Sequence, residues 1–189
     1  MKALSKATRI LARIFEIGHW VAAGIMLVLL ITAIAFPAQM NEMITGDITA
    51  EESMYGFHIT LAGADGTLSR PSVIVFAAAG VLLSALMAMV FRNVYLIIRT
   101  SEGNTRFSKG ATPFQPDVTR MLREIGYFTI AVPIVCLVMS VIARLAIGSD
   151  YDVETSVDLS YIVIGLLVLW LTQVFTRGEQ LEQESEGLI

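Results

Sequence analysis

The sequence predicts an all-α membrane protein: four transmembrane helices, with a structured outer loop between the first and the second. Three observations predict it. Hydrophobic residues make up 55% of the 189 positions and charged residues 16%, against roughly 25% charged in a soluble domain. The apolar excess is gathered into four runs of about 20 residues, the length a helix needs to cross a hydrocarbon core of roughly 30 Å. Basic residues collect on one side of those runs. A soluble globular domain and a disordered chain are thereby excluded. So is a disulfide scaffold, because the single cysteine, Cys136, lies inside an apolar run. Runs this continuous are helices rather than the alternating strands of a barrel.

Residues 1–16 form an amphipathic segment in which Lys2, Lys6, Arg9 and Arg13 recur at spacings of 4, 3 and 4. Such a helix lies on an anionic inner leaflet before turning into the first span, or simply sets topology. The transmembrane domain covers 17–177, with spans at about 17–37, 72–91, 125–147 and 157–176. Ala33-Ile34-Ala35 has the form of a cleavage site, but the apolar run before it is longer than a secretory signal's, so the first span is an uncleaved anchor. The loop 38–70 is acidic, with Glu42, Asp47, Glu51, Glu52 and Asp65. Within it, Tyr55–Leu61 alternates and Gly63-Ala64-Asp65-Gly66 follows, a hairpin pattern. The loop is a lid over the helices or a receiver of a peptide or cation. Pro71 opens the second span, where Gly80, Ser84 and Ala88 offer a small-residue seam within one chain or between two.

After the second span Gly103, Gly110, Pro113 and Pro116 interrupt any helix until Pro116 starts a new one, with Asp117 in its first turn. The third span carries Thr129, Pro133, Cys136, Ser140 and Arg144 on roughly one face, and Pro133 kinks it. Gly165 and Thr172 serve packing on the fourth. The tail 178–189 is acidic, through Glu179, Glu182, Glu184 and Glu186, and reads as a solvated end.

Eleven of the 13 basic residues fall on the side of both termini; only Arg70 and Arg144 lie elsewhere. The positive-inside rule therefore places both termini in the cytoplasm. Among the eleven, Arg106, Lys109, Arg120 and Arg123, interleaved with Phe107 and Phe114, make a basic patch on the inner loop. That patch binds lipid phosphates and fixes orientation, or it docks a cytoplasmic partner. Arg144, a charge inside a span, is either an ion pair with Asp150, Asp152 or Asp158 or a counter-charge for an anionic ligand. Glu16 and His19 share a face near the inner boundary, too few groups for a metal site. His58 falls on the opposite side, which argues against a bis-histidine haem. No catalytic constellation, cofactor motif or metal cluster is present in the sequence.

The stretch Phe107-Ser-Lys-Gly-Ala-Thr-Pro-Phe-Gln-Pro-Asp-Val-Thr-Arg-Met-Leu-Arg-Glu-Ile-Gly126 resembles the signature of a bacterial four-span membrane family, domain of unknown function 2975. Its positions here are Gly110, Pro113, Phe114, Leu122, Arg123 and Gly126, with one more residue between Gly110 and Pro113 than that signature has. The resemblance implies a bacterial cytoplasmic membrane and, as a partner, a small cytoplasmic DNA-binding regulator; no direct contact with nucleic acid is expected. The sequence thus points to a non-enzymatic regulator or sensor in the lipid bilayer. The alternative is a transport or immunity-type protein that handles a small ligand, peptide or lipid among the helices. Oligomeric state is open.

Overall fold

A computed structural model describes residues 2–36, 51–62, 68–106, 108, 112–147, 153–155 and 158–186. Four long helices dominate: α1 (Lys2–Ala35), α2 (Arg70–Ser101), α3 (Pro116–Ile147) and α4 (Leu159–Glu186). All four are long and apolar enough to cross a membrane. Three short strands join them: β1 (Glu51–Met54), β2 (Phe57–Thr60) and β3 (Val153–Thr155).

Each helix outruns its apolar span, because lipid sets the length of the apolar run and not that of the helix. The amphipathic segment 2–16 does not turn into the first span; the two form one uninterrupted helix. Helix α2 continues ten residues past Phe91, and its end is written locally. Asn104 donates its N–H to the Arg99 carbonyl at 2.9 Å and Gly103 to the Thr100 carbonyl at 3.1 Å. Gly103 sits at φ 77°, so the pair of bonds is the Schellman motif that glycine permits. Helix α3 starts at Pro116, with Asp117 in its first turn, and runs through Pro133 as one element. The acidic tail is not a loose end either: α4 continues to Glu186. Glu, Gln and Leu are good helix formers, and nothing from Glu179 to Glu186 breaks the helix.

The chain divides into two compact units. The first comprises Met1–His19, Leu86–Ala131 and Ser160–Ile189; the second, Trp20–Ala85 and Val132–Leu159.

The second unit holds the sheet, of order β1-β2-β3, antiparallel throughout. The hairpin turn is Tyr55-Gly56, one strand earlier than the Gly63–Gly66 stretch suggests, and residues 63–67 lie outside the described ones. Both turn residues have positive φ, 53° and 89°, the type I′ geometry that matches strand twist. Tyr55 is an unusual residue there; asparagine or glycine adopts that conformation at lower cost. Phe57, Ile59 and Leu61 are buried while His58 between them is exposed, the period-2 pattern of a one-sided sheet. Phe57 and Ile59 are among the largest fully buried side chains of the described chain. The third strand comes from the loop after α3, which the sequence reading leaves unstructured.

Also in this unit, Gly80 meets the Met26 side chain, so that end of the small-residue seam serves a contact within one chain, and Ser84 is buried. The Cys136 thiol donates to the Tyr55 carbonyl at 3.4 Å, fixing the hairpin turn to α3. Arg70 donates to the carbonyls of Ala33 and Ile34, each at 2.9 Å, satisfying the open end of α1.

Candidate functional site

The first unit gathers most of the basic side chains. Along α2, Phe91, Tyr95 and Arg99 are spaced by four and present one face to α1. Phe91 stacks on Phe15 at 5.1 Å between ring centroids, and the His19 ring lies 5.3 Å from it. One turn on, the guanidinium of Arg13 stands 5.3 Å from the centre of the Tyr95 ring, and that of Arg99 stands 5.8 Å from the same point. Arg99 also donates to the Tyr95 hydroxyl at 3.3 Å and to the Asn104 carbonyl at 2.7 Å. Arg13 pairs with the buried carboxylate of Glu16 at 2.7 Å. Beyond this, Glu102 accepts from the Ser5 hydroxyl and, at 2.7 Å, from Arg9. The Ser5 hydroxyl foremost, with the Arg9 charge, holds the Glu102 carboxyl below its ordinary range, against an opposing cost of desolvation.

A different face of α2 meets α3. Asn93, buried, donates to Glu124 at 3.0 Å. Arg120 reaches Asp117 at 3.5 Å and Glu124 at 3.7 Å, both on its own helix, and its side chain remains 58% exposed. Arg123 is exposed one turn further along.

The base of α3 is fixed to α4. Phe114 lies 5.5 Å from the Phe175 ring and covers Gly178, where an added Cβ would meet the Phe114 ring at 2.4 Å. Thr112 donates to Glu182 at 3.0 Å, so the acidic end of α4 reaches the loop before α3. Higher up, Gly126 and Gly165 cross. A Cβ on either would come within 3.1 Å of the other's backbone oxygen and closer still to Leu169 or Ile130. Phe114 and Gly126 are therefore two of the places where this segment touches α4.

Of the sequence-derived candidates, Arg120 and Arg123 are exposed side chains in the first turns of α3, whose opposite face buries Val118 and Met121, and Arg106 is exposed with an interaction of its own. Phe114 is a packing residue, 38% exposed. Lys109, Phe107 and Gly110 lie outside the described residues, as do Asp150 and Asp152. Arg144 donates to the Val153 carbonyl at 3.2 Å, tying α3 to β3. Glu16 turns to Arg13, while the His19 ring nitrogen bonds the Phe15 carbonyl at 2.7 Å. Among the described residues no three His, Cys, Asp or Glu side chains gather closely enough to hold a metal ion.

Sequence reasoning missed the convergence on Tyr95, although the spacing Phe91–Tyr95–Arg99 beside an apolar boundary is visible in the chain. It also missed Asn93. No family model, no curated protein and no solved structure matches this chain.

Proposed function

We propose that this is a non-enzymatic regulator or sensor of the bacterial cytoplasmic membrane, with both termini in the cytoplasm. The exposed start of α3 docks an acidic surface of a cytoplasmic partner; the resemblance suggests a small DNA-binding regulator. One observation carries the reading. Arg120 and Arg123 stand exposed on a helix whose base packs through Phe114 against α4, and among the described residues Arg120 has long ion pairs with acids of its own helix alone. Exposed pairs of this kind contribute about 0–1 kcal/mol, so a partner's carboxylate displaces them readily. Arg106, and Lys109 outside the described residues, extend the surface in sequence.

The transport or immunity-type alternative draws less support. Its candidate, Arg144, is engaged with the Val153 carbonyl.

The test is a photo-crosslinking residue at position 116, exposed at the start of α3 and outside the apolar span, in native membranes. A cytoplasmic protein joined to wild type and absent from an Arg120→Glu/Arg123→Glu variant supports docking. Adducts confined to lipid in both proteins would sink it.

A further inference from the structure

The convergence on Tyr95 carries an inference that does not depend on the docking proposal. We infer that Arg13 and Arg99, drawn to the two contacts with Tyr95, form a binding site for the phosphate of an anionic membrane lipid.

The charge balance comes first. Arg9 and Glu102 neutralise each other, and so do Arg13 and the buried Glu16. Among the described residues no carboxylate lies within ion-pair distance of Arg99, whose partners are a hydroxyl and a carbonyl. The Tyr95 ring therefore gathers two cations against one carboxylate, and the site is left with a positive charge. Cation–π contact holds the guanidiniums there without neutralising them. The Arg13 side chain is 51% exposed, so an incoming anion has access.

Depth comes second. Arg13 precedes the apolar run that begins at Ile17 by four residues, and Tyr95 follows the one that ends at Phe91 by four. Four residues of helix are about 6 Å. The headgroup layer on each side of the hydrocarbon core is roughly 5–7 Å thick. Tyr95 and Arg13 thus stand at the level of lipid phosphates. Arg99 lies one turn farther out, but helical side chains lean toward the N-terminus of their helix, and its guanidinium comes back to Tyr95. Below, toward the apolar run, Phe15, Phe91 and His19 form an aromatic floor. An acyl chain packs against such a floor while its phosphate meets planar guanidinium donors, the geometry that suits a phosphate oxygen pair.

Native mass spectrometry of the full chain from nanodiscs tests this, with equal phosphatidylglycerol and phosphatidylcholine. Wild type is expected to retain phosphatidylglycerol selectively. An Arg13→Gln/Arg99→Gln variant should lose that retention roughly 30-fold, at about 1 kcal/mol for each cation near the surface. An Arg120→Gln/Arg123→Gln variant should keep it. Excess inorganic phosphate at constant ionic strength should leave the lipid adduct in place; displacement would assign the site to free phosphate and overturn the lipid. Because the double variant tests the site only if it folds, the wild-type competition stands by itself. Equal retention of the two lipids by wild type contradicts the proposal, as does equal phosphatidylglycerol retention by wild type and the folded double variant.

Discussion

The two units employ their cations differently. In the unit that holds the sheet, Arg70 and Arg144 donate to backbone carbonyls, of Ala33 and Ile34 in the first case and of Val153 in the second. Those acceptors belong to the fold, and no solute replaces them. In the other unit Arg9 and Arg120 meet carboxylates through pairs that are exposed or long, while Arg13 and Arg99 meet a tyrosine ring, Arg13 with the Glu16 carboxylate beside it and Arg99 with the Asn104 carbonyl. Solvated acids are exchangeable. The difference teaches where to look for recognition: a guanidinium whose partners are backbone carbonyls alone is structural, and one that has a solvated acid or an aromatic ring as a partner keeps charge to offer. This is why the proposals rest on Arg120, Arg123, Arg13 and Arg99 and not on Arg144.

The contrast extends to packing, and the largest expected effect lies there. Phe57→Ala removes a fully buried ring from the sheet and should cost about 3–5 kcal/mol. Hydrogen exchange would read it as lost protection over residues 51–60. In the other unit, Gly126→Val drives a branched side chain into Leu169 and the Gly165 carbonyl, for about 1–3 kcal/mol and a lower Tm. Unchanged melting would mean that the glycine crossing is looser than described.

The cations give the sharper test. Arg70→Gln forfeits two charge-assisted bonds at the end of α1 and should lower stability by about 1–2 kcal/mol. Arg120→Gln should change it by under about 0.5 kcal/mol, because its pairs are solvated. Denaturation of the two variants side by side checks the comparison directly; equal losses would erase it.

The smallest effect is acid-dependent. The Glu102 carboxyl is held below its ordinary value, so the Ser5 and Arg9 contacts are fully present above the unfolded value near 4.3. Their contribution is lost as pH falls through the lower, folded value. Exchange at residues 5–9 should therefore quicken only once pH has fallen below that unfolded value. Quickening near neutrality would point to another group.

Much of this was readable in the chain, for reasons particular residues show. Apolar runs of about 20 residues announced the four helices, Gly103 the end of α2 and Pro116 the start of α3. Hydropathy did not reveal which helices are covered. In α2 56% of the apolar window is buried and in α4 11%, although both windows are strongly apolar. Lipid and protein offer an apolar side chain the same environment, so composition does not distinguish them. The pairing of β2 with β3 joins His58 to Glu154, far apart in sequence, and three residues of strand leave too weak a pattern to read. The Tyr55-Gly56 turn was hidden because tyrosine is a poor signal for positive φ. The cation contacts depend on where side chains from different helices meet, which spacing along one helix does not give.

The most direct test of the central claim is the crosslinking residue at position 116, one turn before Arg120 on α3 and outside the apolar span, in native membranes. The account predicts a cytoplasmic protein adduct that high salt weakens and that the Arg120→Glu/Arg123→Glu variant abolishes, while the variant keeps the wild-type Tm. An adduct of equal yield in wild type and variant would contradict it.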